Sequence, residues 1–498
     1  MSELLFVGGD LSGIQSFLYN ITSKKAAVSL KGRSAYLVNY TRELCNKILT
    51  LPEVKAGRCE EVYCSGGKFY LIAEDTAAVR TAIDAVARQA EQELWQAHKG
   101  QLGLAIAYVP FVFTNPEESR VRVDGEESGI GLLWGKISEL FTNLKTQKFR
   151  TLLTDHYEEM FNVLPVGGDV KVCAVTGIED PHCVKLEDIY VLPSVKEQIT
   201  LGETLRDKEH FKTFEEYAKD SYLGVLRMDV DGMGARIQRG FKDLKDYRSF
   251  SQKLSSFFEG ENSELRKIQQ KPEYKNDLNI IYAGGDDLFV VGRWNAVLDF
   301  AADVHEKFIE HTKGEGLTIS GGMAIVGSKF PISKAANMSG EAEENAKKYV
   351  CGDAPKNAIC FLGETVSWTD DQFFHVRTMK DELCHQINDN GLSRGILQKL
   401  MLYSDMAQRC QAQRNQAQRD QIQRNQVQRN PINYIWHAVY YLTRLMTRCE
   451  KNSPARDFVQ NLRDGKYKGK GYITDVDQLR LLALAARWAE LETKKNNN

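Results

Sequence analysis

The sequence predicts an α+β chain: two ferredoxin-like βαββαβ units, a mixed segment between them, and a helical C-terminal part. Three observations predict it. Apolar runs of strand length alternate with helical stretches in the same order twice. Matching landmarks recur at nearly fixed separations. Beyond residue 366 the pattern is almost wholly helical, with no convincing strand. The expected divisions are 1–112, 113–217, 218–366 and 367–498.

The second copy is the clearer. Leu223-Gly-Val-Leu-Arg-Met-Asp-Val-Asp231 reads as a strand ending in acid, followed by Gly232-Met-Gly234. A helical stretch spans about 244–270. Two apolar runs, Asn279–Ala283 and Leu288–Val291, flank Gly284-Gly-Asp-Asp287, a hairpin whose turn bends on glycine. A helix near 295–313 and a strand over Leu317–Val326 complete the unit.

The first copy starts at Leu4-Leu-Phe-Val-Gly-Gly-Asp10. A helix over about 34–50 follows, then a hairpin around Gly66-Gly-Lys-Phe69, a helix near 76–98 and a strand over Leu102–Val109. Residues 10 and 231 lie 221 apart, 66 and 284 lie 218 apart, and 102 and 317 lie 215 apart. A drift this small favours duplication. The copies differ in their acids. The second has Asp229-x-Asp231 and Gly-Gly-Asp-Asp; the first has Gly8-x-Asp10 and Gly-Gly-Lys-Phe. One catalytic copy and one supporting copy, able to hold a second nucleotide, are therefore expected.

Between the copies, a helix is expected over Leu132–Phe149. Residues 407–430 are low in complexity, with Arg409, Arg414, Arg419, Arg424 and Arg429 at every fifth position. That spacing advances about 140° per arginine around a helix, so they spiral and form no single stripe. A solvated helix or expanded linker is the better reading. Leu479–Trp488 reads as a packed amphipathic helix.

Composition bounds the function. A chain of 498 residues with 42% apolar and 27% charged residues is an ordinary globular protein of two to four domains. The net charge of −2 restricts any nucleic-acid contact to local patches. The N-terminal residues carry no basic stretch and no apolar run approaches a membrane span, so neither a signal peptide nor a membrane partner is expected. Ten scattered cysteines point to a reducing, cytoplasmic setting.

Adjacent aspartates repel, and a bound cation accounts for their retention at one turn. Asp229 and Asp231 end a strand, and the hairpin brings Asp286 and Asp287 to the same sheet edge. Oxygen ligands suit Mg²⁺ or Mn²⁺ bridging to phosphates, and two such ions suit nucleotidyl transfer. Gly232 and Gly234 let backbone N–H groups approach a triphosphate, and Gly284 and Gly285 do so at the hairpin. A calcium-binding EF-hand loop is excluded because its twelfth position holds Gly240, and no P-loop motif occurs. Lys347 and Lys348 lie on an expected helix. Spacing alone leaves open a reach to phosphates or i,i+4 pairs with Glu343 and Glu344.

These residues resemble the large subunit of type III CRISPR interference complexes, the palm-domain protein that makes cyclic oligoadenylate, nearest the type III-A (Csm) branch. The resemblance rests on Gly9–Phe17, Leu30–Leu37, Leu226–Gly234, Gly284–Asp287, Ser320-Gly-Gly322 and Ala346-Lys347, and covers about the whole chain. It implies a subunit beside a guide-RNA-bearing backbone and a small helical subunit, with target RNA switching on polymerisation of ATP. It implies Asp229 and Asp286 as the best metal ligands, with Asp231 a weaker one. Asp287 assists the metal or the 3′-hydroxyl, and Lys347 contacts triphosphate. Ser320 in the second palm, and Ser12, Lys31 and Arg33 in the first, are the further nucleotide-binding residues.

Two departures follow. Many family members begin with an HD nuclease domain; here the first palm starts at about residue 4 and no His-Asp dipeptide occurs, so single-stranded DNase activity is expected to be absent. The family often carries a four-cysteine zinc site between its palms. Here Cys173, Cys183 and His182 remain, with Thr176 at a partner position, which is short of a zinc site and reads better as thiols. His375 and His385 lack metal spacing and read as core or surface residues. The rival readings are a stand-alone dinucleotide cyclase, disfavoured by the paired palms and helical tail, and a non-catalytic RNA scaffold, disfavoured by the four aspartates.

Overall fold

One central strand organises each palm. β1 (Leu4–Ser12) is buried along nearly its whole length, so it needs neighbours on both edges and cover on both faces. In the first palm β2 (Cys59–Ser65), β3 (Lys68–Glu74), β4 (Gly103–Phe113), β5 (Arg120–Val123) and β6 (Glu126–Gly129) give the order β2-β3-β1-β4-β5-β6. Leu5 and Val7 face the helices Ala26–Leu49 and Ala77–His98 in one core. Phe6, on the other face, meets Trp134 of the helix Gly131–Thr146. The computed structural model describes the chain except residues 1–2, 23, 162–169, 219–220, 239, 353, 370, 420–432 and 495–498.

The first sheet does not stop at residue 112. β5 and β6 extend it, and the helix Gly131–Thr146 covers its second face at Gly8, where a Cβ would meet Ile137 and Phe141 at 2.7 and 2.8 Å. The first long helix starts at Ala26, eight residues before the expected position, because its early turns bury Ser29, Lys31, Arg33 and Ser34 and so show no amphipathic pattern. Between the palms, β7 (Lys171–Val172) pairs with β8 (Glu179–Asp180), and β9 (Val184–Leu186) with β10 (Ile189–Val191). The helix Pro193–Glu209 then crosses Ala26–Leu49 at two glycines. A Cβ on Gly32 would lie 1.7 Å from the Gln198 carbonyl, and one on Gly202 would lie 1.9 Å from that of Val28.

The second palm repeats the plan with β11 (Leu223–Asp231), β12 (Leu278–Gly284), β13 (Asp287–Arg293) and β14 (Thr318–Val326), ordered β12-β13-β11-β14. The expected helix over 244–270 is two, Leu244–Phe258 and Glu264–Gln269, broken at Gly260 (φ 87°) and restarted by the Ser263 cap.

Sheet register fixes the relation of the copies more tightly than sequence landmarks do. Leu4 and Leu223, Cys59 and Leu278, and Lys68 and Asp287 begin corresponding strands 219 residues apart. The bulges at Glu61/Tyr63 and Ile280/Tyr282 keep the same interval. Asp10 therefore corresponds to Asp229, not to Asp231, and the residue matching Asp287 is Lys68, not Phe69.

The chain divides into two compact units, residues 1–357 and 358–498. In the second, a hairpin (Ala358–Phe361 with Glu364–Ser367) accompanies, among the described residues, helices over Phe373–Asn388, Gly395–Arg419, Asn433–Met446, Pro454–Asp464 and Val476–Glu492. The last helix is its core: Trp488 packs on Phe361 and Phe373, and Arg480 and Arg487 both reach Glu364. A two-residue ribbon, Lys466–Tyr467 with Lys470–Gly471, is also present, and His375 stacks on Tyr467 at 3.6 Å. His385 pairs with Asp389. Of the Gln/Arg repeat, Arg409 lies on the helix Gly395–Arg419, while Arg424 and Arg429 lie outside the described residues. Among the described residues no helix is long and apolar enough to cross a membrane.

Candidate active site

Strand register brings the acids together. Asp229 lies opposite Asp287 in the β11–β13 ladder and opposite Ser320 in the β11–β14 ladder. Asp286 occupies the turn, where Gly285 takes φ 67° and Asp286 is not in the left-handed region. That matches the two-residue turn with glycine first. The first copy takes positive φ at both Gly66 and Gly67 (59° and 79°), the other common two-residue hairpin turn. Carboxylate oxygens of Asp229, Asp286 and Asp287 lie within 4.8 Å of one another.

Burial and mutual repulsion raise the Asp286 carboxyl above the ordinary carboxylate range, and burial raises Asp287. Arg227 and Lys68 pull against the shift at Asp287. Lys347 meets this charge directly: its ammonium pairs with Asp229 and with Glu343 at 3.2 Å. Burial, with Lys356 and Arg227 nearby, lowers it to about 8, so it stays charged at neutral pH. Glu343 also binds Arg227 at 3.3 Å, and burial raises its carboxyl to about 7. The helix Ile332–Lys348 can bring these groups in because residue 322 is glycine. A Cβ there would lie 2.0 Å from the Glu343 nitrogen. Three hard oxygen donors neutralised by an ammonium fit a divalent cation such as Mg²⁺ or Mn²⁺.

The acids open on a cleft of about 440 Å³ between the palms. The second palm contributes Asp286, Asp287 and Tyr282; the first contributes Asp10, Lys68 and Lys145. The two glycine turns touch, since a Cβ on Gly66 would lie 3.3 Å from the Gly284 oxygen. Glu259 fastens them, accepting from Ser65 and from the Gly285 N–H at 3.2 Å. The first copy keeps its own strand-end acid, but Lys145 pairs with Asp10 at 2.6 Å. Lys145 and Lys347 are each the penultimate residue of the helix that follows the fourth strand of their palm.

Residues 222–360 match the model of the Cas10/Cmr2 second palm domain, and residues 3–163 match that of Csm1 subunit domain B. The chain belongs to the Cas10/Csm1 family. Two family members are CRISPR system single-strand-specific deoxyribonucleases Cas10/Csm1 of subtype III-A. That of Mycobacterium tuberculosis is 27% identical over 425 residues, covering 68% of this chain and 52% of that protein. That of Enterococcus italicus is 25% identical over 452 residues, covering 76% and 56%. The chain thus spans about half the length of the curated relatives it matches. The fold is that of the Csm1–Csm4 cassette. A crystal structure in complex with one ATP superposes with a TM-score of 0.64 at 18% identity, covering 97% of this chain and 70% of that one. One in complex with cA4 gives 0.62 at 19%, covering 98% and 70%.

Several expected site residues stand apart from the acids of this Cas10/Csm1 site. Asp231 is not in the carboxylate cluster: its Oδ2 accepts from Thr318 at 2.8 Å, Ser320 at 2.7 Å and the Asn357 N–H at 3.2 Å. Ser320 is fully buried on that carboxylate and is not presented to a nucleotide. Arg33 is 1% exposed and ties together the Phe17 and Asn20 carbonyls and Gln198, a packing role. Ser12 closes β1 opposite Gly103 and lines neither the acidic cleft nor the larger cavity described below. Lys31 lines that larger cavity, its ammonium held by the Ile280 carbonyl and Glu209. Gly232 (φ 76°) and Gly234 sit beyond β11 with nothing within 4 Å of a Cβ, so backbone there is open to a ligand. Cys173 is buried, while His182 is exposed and bound to Asp180. Sequence reasoning missed Lys145, Lys68, Arg227 and Glu259, and had Glu343 as the i,i+4 partner of Lys347, a pair the structure contains. The paired penultimate lysines were the available signal, hidden because the helix Gly131–Thr146 had not been counted with the first palm.

Proposed function

We propose that this chain is the large subunit of a type III-A CRISPR RNA-guided effector and polymerises ATP into cyclic or related oligoadenylate when target RNA is bound. The observation that carries this reading is the cluster of Asp229, Asp286 and Asp287, two of which, Asp286 and Asp287, line one cleft with the first palm's Lys68 and Lys145. Its partners are guide and target RNA and the backbone and small helical subunits of a cytoplasmic ribonucleoprotein. The Csm1–Csm4 structures in complex with one ATP and with cA4 support the same chemistry. No deoxyribonuclease role is proposed for these residues.

Asp229 and Asp286 are the proposed metal ligands, with Asp287 beside them. A bound Mg²⁺ or Mn²⁺ would neutralise these acids and the phosphates they face. Asp287, beside the metal ligands, would take the proton of an attacking 3′-hydroxyl. The hydroxyl oxygen bonds to the α-phosphorus of a second nucleotide, and pyrophosphate leaves. Lys347 and the open backbone at Gly232 and Gly234 hold the triphosphate, and the cations of the first palm meet the charge of the leaving group. The first palm is the supporting copy, holding one of the two nucleotides. Incubating the assembled complex with ATP, Mg²⁺ and cognate RNA, then analysing products by mass spectrometry, tests the reading. Oligoadenylate is expected from the wild type and none from Asp286→Ala/Asp287→Ala. No nucleotide product from the wild type, or unchanged product from the variant, contradicts it.

A further inference from the structure

A larger cavity of about 680 Å³ adjoins the acidic cleft; Ser65, Gly66 and Gly284 line both. Glu259 lines the larger cavity and not the cleft, so it meets the Gly284–Asp287 turn from the side away from the acids. One of its oxygens accepts from the Gly285 N–H at 3.2 Å and from the Ser65 hydroxyl. The Ser65 oxygen lies 3.1 Å from the same N–H. Gly285 takes φ 67° and Asp286 follows it directly. Holding that N–H therefore fixes the backbone from which the Asp286 carboxylate departs.

Glu259 is itself held in place. The helix Leu244–Phe258 stops there: Glu259 leaves it in the extended conformation, its N–H still bonded to the Ser255 carbonyl at 2.8 Å, and Gly260 (φ 87°) turns the chain away. The same helix is anchored on the first palm. Arg248 pairs with Glu60 of β2, and Tyr247 packs on Trp134 with ring centroids 4.3 Å apart. A neutral acceptor would meet the same donors without adding a negative charge one residue from the Asp286–Asp287 pair. A carboxylate forms hydrogen bonds roughly twice as strong, which suits a rigid mount. We propose that Glu259 is a positioning residue: with Ser65 of the first palm it holds the catalytic turn so that Asp286 keeps its place in the metal cluster. This rests on the nucleotidyltransferase reading above and adds to it what the first palm does for the metal site.

Three readouts test it, and two need no turnover. Hydrogen exchange in the peptide spanning 282–288 is expected to be faster in Glu259→Ala than in the wild type, since the Gly285 N–H loses its charged acceptor. Titration of the full chain with Mn²⁺, followed by the free-ion EPR signal with Asp286→Ala/Asp287→Ala as the blank, is expected to show binding roughly tenfold weaker, the cost of losing a partner that orients metal ligands. In the assembled, RNA-activated complex, kcat for oligoadenylate is expected to fall roughly tenfold with KM for ATP little changed. Glu259→Gln keeps the acceptor and is expected to recover most of each loss. Ser65→Ala removes the other half of the mount and is expected to weaken Mn²⁺ binding by a smaller factor; it decides the matter if Glu259→Ala fails to fold. Folded alanine variants with wild-type exchange and Mn²⁺ affinity overturn the proposal. A wild type that binds Mn²⁺ yet makes no oligoadenylate contradicts the functional reading alone, and exchange and Mn²⁺ affinity still decide this one.

Discussion

At the scale of single residues, Lys347 decides how three carboxylates coexist. Its ammonium supplies the positive charge that Asp229 requires when no other cation is present. Lys347→Met is therefore expected to lower the Tm in chelator by a few degrees, and Mg²⁺ is expected to restore more of it than in the wild type. Thermal melts with and without Mg²⁺ check this, and equal metal dependence in both proteins would count against the ion-pair account. His98 makes a second case. It is buried on Phe17 with its Nε2 at 2.8 Å from the Tyr36 hydroxyl, and burial, with Arg33 nearby, lowers it to about 4. The unfolded chain binds that proton near pH 6.5, so His98 favours folding above pH 6.5 and loses that effect as pH falls toward 4. The full effect is about 3 kcal/mol. His98→Gln is expected to show a smaller fall in Tm between pH 7 and 5, and a slope equal to the wild type would rule the histidine out. Both features escape sequence reading because they depend on burial. Arg33 and Ser320 escaped for the same reason: they carry polar chemistry, yet each is enclosed by groups distant in the chain.

At the scale of elements, the motifs that looked like ligand-binding signatures divide into two kinds. Gly284-Gly285 makes a turn that touches its counterpart. Gly322, in the Ser-Gly-Gly motif, instead lets a helix lie against the sheet and deliver Lys347 and Glu343. The central palm strands β1, β4, β11, β12, β13 and β14 were legible because each is a nearly continuous apolar run, and β11 coincides with its expected span. The register was not legible from sequence landmarks. Matching Asp10 to Asp231 is off by two residues, and only the ladders place Asp10 with Asp229. The crossing of Ala26–Leu49 with Pro193–Glu209 gives a direct test of packing. Gly32→Ala puts a methyl into the Gln198 carbonyl and is expected to cost 1–3 kcal/mol or more, read as a lower midpoint in urea. An unchanged midpoint would show that the helices separate freely.

At the scale of the whole molecule, duplication has produced two palms with one acidic cluster. Both keep a strand-end aspartate and a penultimate helix lysine that pairs with it. They part at two register positions of the cluster, where Gly67 and Lys68 stand in the first palm and Asp286 and Asp287 in the second. These substitutions turn a symmetric scaffold into a site with acids on one side and cations on the other, as joining two triphosphates requires. The sequence reading singled out the second copy from its acids, but not the cations opposite: Lys145 lies on a helix it had assigned to the intervening segment, and Lys68 was read only as a missing acid. The account stands most directly on oligoadenylate yield from the assembled, RNA-activated complex carrying Asp229→Ala or its register mate Asp10→Ala. It predicts a loss of at least roughly a hundredfold for Asp229→Ala and a yield within about tenfold of wild type for Asp10→Ala. Equal losses from the two, or a greater loss from Asp10→Ala, would contradict it.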